Sequence, residues 1–116
     1  MSVHIEHVGE VAVVVAEGMF TGGKETLELE ASLRALIENK ERRKILLNLS
    51  GTRLMLSVAI GALVAAHVRA TEHGVTFYVC GIRPALKKVF ETFQIQSQVL
   101  NDFESCEEAL QALQEL

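Results

Sequence analysis

The feature that most constrains this chain is an unbroken apolar run in its middle, from Leu54 to Ala66. The run contains one hydroxyl, that of Ser57, and no charged side chain. A helix that crosses a bilayer needs about 20 apolar residues, so the run predicts a helix packed in the core of a soluble domain. Ser57 stands where a helix N-cap is expected, and Gly74 is placed to end the helix.

Length and composition predict one globular domain over residues 1–116. Hydrophobic residues make up 49% and charged residues 22% of the chain, which is a globular rather than a disordered composition. The net charge is −4 with no block of like charge, so no nucleic-acid surface and no polybasic membrane patch is expected. The first residues lack the basic start and apolar core of a signal peptide, so we expect a cytoplasmic protein without direct membrane insertion.

Five segments have the pattern of β-strands. Val3–Val8 alternates polar and apolar side chains, which predicts an edge strand, whereas Val11–Ala16 is apolar throughout, as in a strand covered on both faces. The two residues between them predict an antiparallel hairpin. Further strands are predicted at Lys44–Leu49, Val75–Cys80 and Ile95–Leu100.

Three further helices are predicted from apolar stripes and start signals. The first follows a predicted loop at Glu17–Gly23, the second begins near Pro84, and the third opens with a capping box of Ser105 and Glu108. In chain order, their stripes are Leu29, Leu33, Leu36 and Ile37, then Leu86, Val89, Phe90 and Phe93, then Cys106, Ala109, Leu110 and Leu113.

The order of these segments predicts an α/β fold. A helix between two buried strands implies a parallel crossover, so the sheet should be open and mostly parallel, with one antiparallel edge strand and four packed helices. Leu33, Val64 and Phe90 are expected in its core.

Two segments resemble the hallmark of the STAS domain, the anti-sigma-factor antagonist family. That hallmark is a strand ending in L-S-G, matched by Leu49–Gly51, followed by D-S-S-G-L-G at a helix start, where this chain has L-S-V-A-I-G at Leu56–Gly61. Gly18 resembles a glycine in an early segment of the family, and Gly81–Pro84 resembles the turn after its fourth strand. The resemblance covers nearly the whole chain and implies the STAS-type open sheet.

The resemblance implies a docking function with an altered switch. Members of the family bind an anti-sigma factor of serine-kinase type, and phosphorylation of the second serine of the motif ends that binding. Here that position is Val58, and the preceding aspartate is Leu56. The implied function is therefore docking in a sigma-factor or stress-signalling partner switch, without serine phosphorylation at the usual site. Other STAS subunits and a second copy of the chain are further implied partners.

The candidate interface or modification residues lie at the start of the central helix and in the loops after the strands. The helix is apolar nearly all round, so part of its surface should be free for a partner. Arg53 and Arg83 could bind an anion together or remain solvated. The full set of candidates is Ser57, Val58, Ala59, Ala62, Thr52, Arg53 and Arg83.

Catalysis and cofactors are not expected. The strand-end loops carry no carboxylate or histidine that could act as a general base, so Ser57 is not supported as a nucleophile. His4 and His7 are three residues apart on a strand and point to opposite faces, which excludes a shared metal. Cys80 and Cys106 have no C-x-x-C spacing, and we expect both to be reduced packing residues.

Two other functions remain open at this point. The chain could be the cytosolic STAS subunit of a membrane transporter, or it could carry a small ligand or nucleotide in the strand-end loops.

Overall fold

The computed structural model describes residues 2–39, 43–92 and 101–116. In chain order the elements are β1 (Ser2–Val8), β2 (Val11–Phe20), α1 (Lys24–Glu38), β3 (Lys44–Asn48), β4 (Thr52–Met55), α2 (Ser57–Glu72), β5 (Thr76–Cys80), α3 (Pro84–Thr92), β6 (Asn101–Phe103) and α4 (Cys106–Gln114). The main sheet has the order β1-β2-β3-β5-β6, and β4 pairs with β2. The predicted strand Ile95–Leu100 and the stripe residue Phe93 lie outside the described residues.

The pairing of the strands confirms the predicted fold class. β1 and β2 are antiparallel, whereas β2–β3, β3–β5 and β5–β6 are parallel. The two-residue hairpin turn begins at Gly9, whose φ of +59° lies in the left-handed region that glycine adopts without strain. The result is a mostly parallel sheet with one antiparallel edge strand and four packed helices.

The helices form layers on both faces of the sheet. Buried residues of α1, α2 and α3 share one core cluster, and those of α4 belong to a second cluster. β2 contributes to both, because alternate side chains such as Ala12 and Val13 point to opposite faces. This explains why the first six residues of β2, Val11–Ala16, are all apolar. None of the described helices is long and apolar enough to cross a membrane.

The predicted core is confirmed with one exception. Leu33 and Phe90 are buried, as is Leu63, but Val64 is only partly buried. The buried side of α2 passes through Ala59, Ile60, Leu63, Ala66 and Ala70. Val64 lies beside that stripe, at the flank of the helix.

The chain contains more β-structure than the sequence pattern indicates. β2 continues through Phe20, so the predicted loop at Glu17–Gly23 is wrong for its first residues. The unpredicted strand β4 causes this, because Met19 lies opposite Leu54 and Phe20 lies opposite Met55 in a parallel ladder. The short strand β6 begins at the residue after the predicted last strand, Ile95–Leu100.

The two cysteines are joined, which contradicts the prediction of reduced thiols. Cys80 is the last residue of β5 and Cys106 is the first residue of α4, and their Cα atoms are 4.9 Å apart in a disulfide. Ser105 caps α4 as predicted, and its Oγ accepts a hydrogen bond from the Glu108 N–H at 3.3 Å. The cap and the disulfide together fix the start of α4 on the sheet.

Candidate docking surface

The start of α2 is held by the end of β2. The Leu56 N–H donates to the Phe20 carbonyl at 2.9 Å, which keeps Leu56 extended as the N-cap of the helix. The Leu56 carbonyl then accepts from the N–H groups of Ala59 and Ile60. The prediction of Ser57 as N-cap is therefore wrong by one residue. Sheet pairing, rather than a capping side chain, determines where the helix begins.

Ser57 therefore does not cap the N-terminus of α2. Its side chain is exposed, and no described residue makes a hydrogen bond with its hydroxyl. α2 has no side-chain cap, so its first N–H groups are left to solvent or to a partner.

Three exposed apolar side chains lie where β2 and β4 end and α2 begins. Met19 and Leu56 are each 45% exposed, and Val58 is 63% exposed. Their neighbours Phe20 and Met55 are fully buried, because successive strand residues point to opposite sides. We call Met19, Leu56 and Val58 the end surface.

Gly22 lies beside Val58 at the end surface. A Cβ placed on Gly22 would lie 3.7 Å from the Val58 Cβ, and the Gly22 φ of +99° suits glycine alone. The chain after β2 therefore passes close to the start of α2.

The loop after β3 is braced beside this surface. The amide and hydroxyl of Ser50 both donate to the Asn48 Oδ1, at 2.9 and 2.6 Å, and the Arg83 Nε donates to the Ser50 carbonyl at 3.0 Å. Gly81 packs so closely that a Cβ on it would lie 3.0 Å from the Ser50 amide nitrogen. The Arg83 side chain is thus bound to a backbone carbonyl, and these contacts hold the loop in place.

Two of the predicted candidates cannot face a partner in this structure. Thr52 is buried and its hydroxyl donates to the Ala16 carbonyl at 2.8 Å, so it holds β4 against β2. Ala59 is buried in the core beneath the first turn of α2. Ala62 is partly buried, and the remaining candidates are exposed: Ser57, Val58, Arg53 and Arg83.

The sequence pattern does not identify Met19 or Leu56 as interface residues. The sequence feature that marks them is a pair of apolar dipeptides, Met19-Phe20 and Met55-Leu56. In each dipeptide one side chain faces the core and the other faces outward. That alternation can be recognised only when β4 is recognised as a strand. Among the described residues, no group of three His, Cys, Asp or Glu side chains could hold a metal ion.

These observations define an α/β domain that presents an apolar surface at one end of its sheet. The family model for the STAS domain matches residues 3–109, and the chain belongs to that family. No curated protein shows significant similarity to the chain.

Solved structures show the same fold at low sequence identity. An anti-sigma factor antagonist from Mycobacterium paratuberculosis is 19% identical with a TM-score of 0.82, and the match covers 97% of this chain and 93% of that one. The Bacillus cell fate determinant SpoIIAA in its phosphorylated form is 18% identical, with a TM-score of 0.74 and coverage of 96% and 98%. A sulfate transporter family protein from Wolinella succinogenes is 14% identical, with a TM-score of 0.75 and coverage of 93% and 88%.

Proposed function

We propose that this chain is a non-catalytic, cytoplasmic docking domain that binds an anti-sigma factor of serine-kinase type through the end surface. The observation that carries the proposal is the exposure of three apolar side chains, Met19, Leu56 and Val58, where β2 and β4 end and α2 begins. Membership of the STAS family and similarity to anti-sigma-factor antagonists support the choice of partner.

The end surface has the properties of an interface centre. Apolar side chains that stay exposed on a well-braced segment gain free energy when a partner removes them from water. Because hydrogen bonds of Leu56 and Ser50 hold the neighbouring backbone, little conformational entropy is lost on binding. Arg53, three residues before Leu56, and Arg83, which donates to the Ser50 carbonyl, are both exposed and suit a polar rim, where charges affect association rates more than affinity.

A charge in the end surface should weaken docking. Val58→Glu should weaken binding of the purified anti-sigma kinase by about tenfold or more, because a carboxylate buried in an apolar contact loses its hydration. The fold should persist, since the site is exposed and glutamate is favourable in the first turn of a helix. Binding is measured by calorimetry.

Val68→Glu is the matched control, since Val68 is 51% exposed on the same helix but three turns away. It should bind as wild type does. Equal affinity of Val58→Glu and wild type would contradict docking at the end surface.

We further propose that docking is not controlled by phosphate at position 58, because valine has no acceptor atom. Incubation with the kinase and ATP should leave the Leu56–Ser57–Val58 peptide unmodified by mass spectrometry. The double variant Leu56→Asp/Val58→Ser rebuilds the family motif and should gain phosphate, whose charge a helix N-terminus stabilises. Adding Ser57→Ala to that variant should not change the gain.

Stoichiometric phosphate on wild-type Ser57 would contradict this part of the proposal. The hydroxyl is exposed and no described residue engages it, so the experiment tests kinase recognition rather than access.

A transporter subunit is the second candidate, because the fold is similar to that of a sulfate transporter family protein. A pull-down from native lysate separates the two: an anti-sigma kinase supports the first function and a transporter subunit supports the second. No described contact favours the small-ligand carrier. Thr52 and Arg83, which could have bound a ligand at the strand ends, both donate to backbone carbonyls.

A further inference from the structure

Strand β1 forms one edge of the sheet. Among the described strands it pairs only with β2, which leaves the other side of its seven residues without a strand. Ile5, at its centre, is 39% exposed. An edge of this length presents backbone donors and acceptors in a row, which is a template for another strand.

The hairpin determines which backbone groups point outward. A two-residue turn makes its flanking residues, Val8 and Val11, a hydrogen-bonded pair, and such pairs alternate along an antiparallel ladder. Ser2, His4, Glu6 and Val8 therefore direct their N–H and C=O groups toward β2. Val3, Ile5 and His7 direct theirs to the open edge.

This outward set is self-complementary. An antiparallel second copy centred on Ile5 places Ile5 opposite Ile5 and Val3 opposite His7, so that the outward-pointing groups of one strand meet those of the other. The arrangement has a two-fold axis, as closed homodimers require. It also covers the exposed Ile5 side chain with its own copy.

The chemistry of the side chains favours the same register, because an imidazole N–H donates to a carboxylate whether or not the ring is protonated. His4 and Glu6 share one face of β1. Within one chain the His4 Nε2 lies 3.9 Å from the Glu6 Oε1, and the His4 Nδ1 lies 4.0 Å from the Glu17 Oε1 of β2. In the register centred on Ile5, each His4 faces the Glu6 of the other copy in a non-hydrogen-bonded pair, where side chains are closest. A shift of two residues would instead oppose two His4 or two Glu6 side chains.

We propose that β1 is a self-association surface, on which a second copy of this chain pairs antiparallel about Ile5 to form one continuous sheet. The cross-strand contacts are two imidazole–carboxylate pairs of His4 and Glu6 and one Ile5–Ile5 contact. The surface does not include the end surface, so it is independent of the proposed docking.

Charge reversal tests the register. In sedimentation velocity of the untagged full chain, wild type should form a dimer, and Glu6→Lys should raise its dissociation constant about tenfold or more. The double variant His4→Glu/Glu6→Lys restores unlike neighbours and should recover dimerisation. Glu28→Lys is the control, since it makes the same charge change at an exposed position of α1, and it should dimerise as wild type does.

A second variant tests the backbone pairing. Ile5→Pro removes an outward N–H but no β1–β2 hydrogen bond, so the chain should fold, as circular dichroism would show, and remain monomeric. A monomeric wild type across the concentration range would overturn the proposal. So would a dimer that withstands both Glu6→Lys and Ile5→Pro, or one that Val58→Glu disrupts instead.

Discussion

Replacing Leu63 with alanine should lower the free energy of unfolding by about 2–5 kcal/mol, the usual range for a large-to-small change in a core. Leu63 is fully buried on the inner side of α2, within the cluster that joins this helix to α1, α3 and the sheet. The lost methyl groups leave a cavity that rigid neighbouring strands cannot fill. Urea unfolding followed by circular dichroism measures the change.

Val68→Ala is the control for this measurement. Val68 lies on the same helix but is 51% exposed, so its truncation should change stability by no more than about 0.5 kcal/mol. Similar unfolding midpoints for Leu63→Ala and wild type would mean that α2 does not pack through the stripe that contains Leu63.

Removing the disulfide should cost roughly 3.5 kcal/mol, because the bond closes a loop across a sequence separation of 26 residues in the unfolded chain. The Cys80→Ala/Cys106→Ala variant isolates the effect, since it replaces both sulfurs with small apolar groups. Reductant should destabilise wild type to the level of this variant and leave the variant unchanged.

Equal stability of wild type with and without reductant would contradict a structural disulfide. The same bond bears on the proposed location, because thiols are kept reduced in most cytosols. Alkylating free thiols in intact cells before lysis, followed by mass spectrometry, would show which form is present. Alkylation of both cysteines in every molecule would show that the protein is reduced in the cell.

The sequence pattern predicts those helices and strands that the apolar spacing of a single segment is enough to identify. The helical spacing of Leu29, Leu33 and Leu36 identifies α1 and its buried face, and all three are buried. The continuous apolar run Val11–Ala16 likewise identifies a strand covered on both faces. In both cases the periodicity of a single segment carries the information.

Elements that depend on a distant partner are not predictable in this way. Glu17–Gly18 has the composition of a loop, and T-R-L-M at Thr52–Met55 merges with the apolar run that follows it. Each becomes a strand because the other is present, with Gly18 opposite Thr52. The helix start at Ser57 follows from the same ladder, since the Leu56 N–H is bound to Phe20.

The paired cysteines show the same limit. Nothing in the local sequence of Cys80 or Cys106 indicates a bond, because 26 positions separate them and no motif links them. Only the parallel placement of β6 beside β5 brings the start of α4 to the end of β5. At the end surface, the family motif identifies Val58, whereas the exposure of Met19 and Leu56 follows from the pairing of β2 with β4.

Buried and exposed side chains alternate at the ends of β2 and β4, so neighbouring residues there have different roles. Phe20 and Met55 maintain the fold, while Met19 and Leu56, one position away, contribute little to the core. The outward positions can therefore vary in shape and charge without loss of stability. Substitutions there can change what the end surface binds without changing the fold. Solved structures of 14–19% identity share that fold over 88% or more of each chain.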